Sequence, residues 1–138
     1  MDRLTRAERS ENMRRIRGKD TAPELVVRRI VSNLGYRYRT HAKHLPGNPD
    51  LTFPRRKKAI FVHGCFWHSH PSAGCKDSRI PKSRVAYWTE KLSRNVARDR
   101  QRLSALRKLG WRAIVIWECQ TEKSLRTLTT RIERFLST

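Results

Sequence analysis

The stretch His63-Gly64-Cys65-Phe66-Trp67-His68-Ser69-His70, followed by Cys75 and much later by Cys119, holds all three cysteines of the chain and three of its five histidines. Thiolate and imidazole are the donors zinc prefers, and a closed structural site needs four of them in a tetrahedron. Cys65, Cys75 and Cys119 with one histidine complete such a set, and spacing alone allows either His70 or His68 as the fourth member. With every position filled by protein, the ion would hold shape and not activate water. The His-x-Glu and Pro-Cys-x-x-Cys signature of the zinc deaminases is absent, which argues against a catalytic zinc of that kind. Histidines remain beyond the ligand count, and a neutral imidazole beside a metal-tied loop is a candidate general base near pH 7.

Two carboxylates qualify as partners for those histidines. Asp50 follows Pro49 at the start of an expected strand whose antiparallel neighbour runs into the histidine loop, so the two ends meet at one edge. A carboxylate there can hold Mg²⁺ together with substrate phosphate oxygens, or it can be a turn residue after Pro46-Gly47-Asn48-Pro49. Glu24 has the spacing of a capping box with Thr21, which would explain it without function. Phe66 and Trp67 are large aromatics in a polar loop with little core to fill, and stacking on or wedging between bases would use them. Trp88, Trp111 and Trp117 fall on apolar faces and are expected in the core.

The elements that must position these groups follow from periodicity. Pro in the first turn and Leu25, Val27, Ile30, Val31 and Leu34 at helical spacing predict a helix over 21–34. Residues 36–40 alternate like a strand, and residues 50–53 and 58–62 read as two strands joined by the basic turn Pro54-Arg55-Arg56. Residues 63–83 form a long irregular loop of the kind that carries function. Ser83 is placed to cap a helix with Val85, Trp88 and Leu92, and a second stretch carries Val96, Leu103, Leu106 and Leu109 up to Gly110. The most apolar segment, Trp111 to Trp117, reads as a central strand, and Leu125, Leu128, Ile132 and Phe135 mark a terminal helix. The order gives a mixed α/β domain with helices packed on one sheet, spanning residues 21–138 after a basic arm over 1–20.

Thirty-two Lys and Arg against 12 Asp and Glu leave a formal net charge of +20, and seven of the basic residues lie in the first twenty. The charge is spread along the whole chain rather than confined to one amphipathic helix, so a nucleic acid is the expected partner and a membrane surface is not. No apolar run approaches a membrane span and the start lacks the apolar core of a signal peptide, so a cytoplasmic, nucleoid-associated protein is expected.

Ser10-Glu11-Asn12-Met13-Arg14, Asp20-Thr21-Ala22-Pro23-Glu24, Leu45-Pro46-Gly47-Asn48-Pro49-Asp50, His63 to His68, Lys91-Leu92-Ser93-Arg94-Asn95-Val96, and Gly110-Trp111-Arg112 through Trp117-Glu118-Cys119 together resemble the very-short-patch repair (Vsr) DNA mismatch endonuclease family, in order and over nearly the whole chain. The resemblance implies a restriction-endonuclease-like fold, a structural zinc, and Mg²⁺-dependent nicking of one strand of duplex DNA 5′ to the thymine of a T:G mismatch. It further implies Asp50 as the Mg²⁺ ligand, His68 as general base, His63 where related nucleases carry a catalytic lysine, and Glu24 as a supporting acid. Cys65, His70, Cys75 and Cys119 match the zinc ligands. Phe66 and Trp67, with Trp88 beside them, match an aromatic wedge, and Met13 matches a residue of the arm that intercalates from the other groove. Ser69, Pro71 and Ser72-Ala73-Gly74 lengthen the loop before the second cysteine relative to the family. Other mismatch-repair proteins are expected as further partners, and a nick in one strand needs only a monomer. The rival readings are a zinc-stapled DNA-binding module without activity and a restriction-type nuclease without mismatch specificity.

Overall fold

The computed structural model describes residues 20–71, 75 and 79–138. The basic arm expected over 1–20, including Met13, lies outside the described residues except for Asp20. The described chain is a mixed α/β structure. Its elements are α1 (Ala22–Asn33), β1 (Arg39–Thr40), β2 (Leu51–Phe53), β3 (Lys58–His63), α2 (Val85–Lys108), β4 (Arg112–Trp117), α3 (Glu118–Glu122) and α4 (Leu125–Ser137).

The sheet order is β1-β2-β3-β4, with β1, β2 and β3 antiparallel and β4 parallel to β3. Side chains alternate across a strand, so each sheet face collects its own set. One face, with Leu51, Phe53, Ile60 and Ile116, packs against Val27, Ile30 and Val31 of α1 and Leu128, Ile132 and Leu136 of α4. The opposite face, with Ala59, Phe61, Ala113 and Val115, receives Leu103 and Leu106 of α2. Phe61 and His63 share this second face, so the alternation that buries Phe61 also carries His63 towards α2.

Four expectations need correction. β4 is an edge strand among the described residues, not a central one; it is apolar from Ala113 to Trp117 because helices pack on both faces of the sheet. The strand expected at 36–40 shortens to Arg39–Thr40, since Tyr36 and Tyr38 are turned into the first core cluster. Residues 85–108 form one helix, about 36 Å long at 1.5 Å per residue, rather than two. Arg84 and not Ser83 precedes it as the cap, and Leu109, 56% exposed, falls beyond its end. Finally, Thr21 makes no side-chain cap at α1; Glu24 accepts the Asp20 backbone N–H at 3.2 Å and is itself 5% exposed.

Candidate active site and metal centre

The Leu45-Pro46-Gly47-Asn48-Pro49 turn brings the chain into β2 with Asp50 at its head. Gly47 has φ +81, and a Cβ there would lie 3.0 Å from the Phe61 ring and 3.2 Å from Arg102, so the turn requires glycine for both conformation and space. The Asp50 N–H donates to Ile60 O at 3.1 Å, while its Oδ2 accepts the Val62 N–H at 2.6 Å. Asp50 is thereby fixed one residue before His63. Burial pushes its carboxyl up to about 7; the Val62 N–H opposes that rise, the neighbouring Glu24 carboxylate adds to it, and the Arg28 guanidinium lowers it. Arg28 reaches Asp20 at 2.7 Å, Glu24 at 3.2 Å and His41 Nε2 at 3.1 Å.

The histidine group stands on the other side of Val62. His63 and His68 stack with ring centroids 3.8 Å apart and an interplanar angle of 8°. His68 Nδ1 is 2.6 Å from Asp99 Oδ2 on α2. A carboxylate at that distance holds the hydrogen on Nδ1 and leaves the Nε2 lone pair free, the arrangement a general base needs. His63 is neutral at working pH because burial, and then His68, depress its pKa to about 3, with Asp99 opposing the shift. Its parallel register partner is Trp117, whose ring meets it edge-on at 5.3 Å. A cavity of about 270 Å³, bordered by His63, His68, Asp99, Arg100 and Arg102, opens beside the pair.

The cysteine loop is tied to itself, to α3 and to α2. His70 N–H donates to Cys65 O at 2.9 Å, Cys65 N–H to Glu118 Oε1 at 3.3 Å, and Asn95 Nδ2 to Trp67 O at 3.0 Å. His70 Nδ1 lies 3.6 Å from Cys65 Sγ and 3.4 Å from Cys119 Sγ, and one donor atom from each of Cys65, His70, Cys75 and Cys119 falls within 4.8 Å of the others. His70 therefore joins the cysteines while His68 faces Asp99, which separates the two histidines that spacing left equivalent. Burial raises the Cys65 and Cys119 thiols, so without a cation both keep their protons. Three buried thiols and an imidazole at this spacing suit a tetrahedral ion that takes thiolates.

Phe66, Trp67 and Trp88 form a triangle of edge-to-face rings with centroids 5.0, 5.2 and 6.0 Å apart. Trp88 thus belongs to this half-buried cluster and not to the core where its spacing on a helix placed it. Trp117 is likewise outside the main core, stacked on His70 at 4.3 Å and edge-on to His63. Tyr87, 43% exposed, extends the cluster, and Lys91 Nζ stands 5.6 to 5.8 Å over the Trp67, Trp88 and Tyr87 rings.

Asp99 and Arg28 carry these contacts with no motif pointing to them, while Asn95 and Lys91 stand in the Lys91–Val96 motif with no role assigned there. The available signal for Asp99 and Asn95 was their four-residue spacing on the face of α2 that also carries Leu92, Leu103 and Leu106.

A carboxylate beside a strand end, a carboxylate-oriented histidine and a basic surface are the parts of a metal-assisted nuclease. Comparison with known proteins gives the class: a profile of the DNA mismatch endonuclease Vsr family matches residues 1–76. The type II nicking enzyme V.XorIIP of Xanthomonas oryzae pv. oryzae is 44% identical over 98% of this chain and 96% of its own length. The type II nicking enzyme V.NmeAIP of Neisseria meningitidis is 40% identical over 86% of this chain and 83% of its own. The DNA mismatch endonuclease Vsr of Escherichia coli is 38% identical over 95% and 85% respectively. The chain belongs to the Vsr family and is a DNA endonuclease. Among the described residues no helix is long and apolar enough to cross a membrane.

Proposed function

We propose that this endonuclease nicks one strand of duplex DNA 5′ to the thymine of a T:G mismatch, using Mg²⁺ at Asp50 and a structural zinc on Cys65, His70, Cys75 and Cys119. The observation that carries the reading is the pair of placements around β3: a carboxylate held by the N–H of Val62, the residue before His63, and a histidine stacked on His63 and oriented by Asp99. The antiparallel β1-β2-β3 unit with a parallel β4 and helices on both faces supports a restriction-endonuclease-like fold. Residues 21–138 act as one nuclease domain behind a basic arm.

The basic surface, +20 over the chain, first binds phosphates without reading sequence. Phe66, Trp67 and Trp88, with Met13 of the arm from the opposite groove, then enter the duplex. A T:G wobble costs less to unstack than a matched pair, so insertion discriminates through deformation energy. Asp50 would hold Mg²⁺, with Glu24 as a supporting acid beside it, and the bound ion would supply charge stabilisation for the phosphoryl transition state. His68 Nε2 takes a proton from the attacking water while Asp99 stabilises the imidazolium that results. His63, neutral throughout, donates a hydrogen bond to the phosphate instead of a proton to the leaving group.

T:G and T:A duplexes compared on denaturing gels with Mg²⁺ test the function: one nicked strand on T:G and none on T:A is expected. Cutting of both strands on either duplex would make it a restriction-type enzyme, and no cutting at all a DNA-binding module. Asp99→Asn should lower the nicking rate about 10²-fold or more, since an amide no longer fixes the Nδ1–H tautomer. Mismatch affinity should stay within twofold in a gel-shift assay, and an unchanged rate would remove Asp99 from the site. Trp67→Ala should show the opposite split, reducing T:G over T:A preference about tenfold in binding, at roughly 1–3 kcal/mol per stacked base. Equal preference before and after would exclude Trp67 from the wedge.

A further inference from the structure

We propose that His63, His68 and Asp99 form a second metal site that takes a transition-metal ion such as Co²⁺ or Zn²⁺ in preference to Mg²⁺, and that its occupation switches nicking off. The three donors come from three elements: the end of β3, the cysteine loop and α2. One donor atom from each lies within 4.8 Å of the other two, as close as in the cysteine centre, and no residue is shared between the sets. Two imidazoles and one carboxylate suit first-row transition ions and do not suit Mg²⁺, which favours all-oxygen, largely hydrated sites. Three protein donors leave a coordination position open, and the adjoining cavity of about 270 Å³ has room for the water to fill it. Donors around a tetrahedral ion stand roughly 3.3 Å apart at metal–ligand distances near 2.0 Å. For an ion to lie in the plane of both imidazoles, the 2.6 Å His68–Asp99 pair must widen and the His63 ring must turn out of its 8° face-to-face stack on His68.

The chemistry of inhibition follows from the tautomer. At present the hydrogen between His68 and Asp99 sits on Nδ1 and the Nε2 lone pair is free. An ion between Nδ1 and Oδ2 displaces that hydrogen to solvent, and a proton from solvent settles on Nε2, so the ring stays neutral with no net proton change. The lone pair that would accept the proton of water is then gone. This half of the inference rests on His68 as general base; the binding half does not.

The probe is Co²⁺, titrated into full-length, zinc-loaded protein carrying Asp50→Asn, so that the Mg²⁺ site does not contribute. One equivalent should bind with weak visible d–d absorption and without the intense near-ultraviolet band of a cobalt thiolate. Adding Asp99→Asn, or in a separate protein His63→Asn, should weaken binding at least about tenfold. In the otherwise unaltered enzyme, Mg²⁺-supported nicking should fall with the same Co²⁺ dependence. Affinity unchanged in both added variants, or a thiolate band showing exchange at the cysteine centre, would overturn the site. Binding as expected with nicking untouched would keep the site, and would overturn both its inhibitory role and His68 as base.

Discussion

Asp50→Asn is expected to reduce nicking of a T:G duplex by at least about 10³-fold while leaving mismatch binding intact, because the amide keeps the size of the side chain and removes the charge that holds Mg²⁺. The same change should stabilise the protein in Mg²⁺-free buffer at pH 8. Folded Asp50 holds its proton up to about 7, against 3.8 for an ordinary aspartate. Between those values the folded state binds a proton that the unfolded chain has released, so stability falls as pH rises through that window. Above pH 7 the buried ionised carboxylate is a net cost, one that Asn does not carry. A melting temperature at pH 8 a few degrees higher in Asp50→Asn, with a flatter profile between pH 4 and 7, is the expected result. Retained nicking would remove Asp50 from the reaction. Parallel stability profiles would show that its carboxyl is not the group titrating there. Adding Mg²⁺ should stabilise the unaltered enzyme and leave Asp50→Asn unmoved.

The second large effect is expected from the Cys65–His70–Cys75–Cys119 cluster, where zinc is proposed to bind. Cys119→Ser should lower the melting temperature by about 10–20 °C, and stripping the ion with a chelator should lower it further. Binding of a structural zinc is worth roughly 10–16 kcal/mol over four ligands, so one ligand accounts for about 3–4 kcal/mol, at several degrees per kcal/mol for a chain of this size. Nicking should fall with it, since Cys65 and His70 bracket Phe66, Trp67 and His68, the residues proposed to enter the duplex and to take the proton. Affinity for zinc should drop as the solution is acidified, because the raised Cys65 and Cys119 thiols must lose their protons to bind it. Calorimetry with and without one equivalent of Zn²⁺ decides the matter. A Cys119→Ser protein with unchanged melting would mean that these thiols are simply buried.

The loop was legible in the sequence because its chemistry is dense: six of the eight residues 63–70 are histidine, cysteine or aromatic. Asp50 was legible as a carboxylate at a strand head that meets the end of β3, though its partner, the Val62 backbone N–H, has no sequence signature. Asp99 was not, because Arg98-Asp99-Arg100 reads as a solvated charged face until the helix is known to run unbroken past it. The same polar run, with Asn95 and Asp99 facing the loop instead of the core, is what divided α2 in two on reading. Glu24 fitted a capping box by spacing, yet its side chain turns inward to Asp50 and Arg28, an alternative that local pattern does not weigh against capping. The strand β4 read as central because burial by helices on two faces leaves the same apolar signature whether or not a further strand is paired beside it.

The unbroken course of α2 also fixes which mutations this enzyme can accept. Trp88, Asn95 and Asp99 meet the aromatic cluster, the cysteine loop and His68 from one stripe of a single rod. Removing one residue between Asn95 and Asp99 would rotate everything beyond it by about 100° and shift it by about 1.5 Å, breaking the phase between the aromatic cluster and the His68–Asp99 pair at a stroke. Replacing exposed residues such as Ser93 or Arg94 leaves that phase untouched. The helix is thus permissive in letters and strict in length, so that insertions and deletions, more than substitutions, mark its tolerance limit.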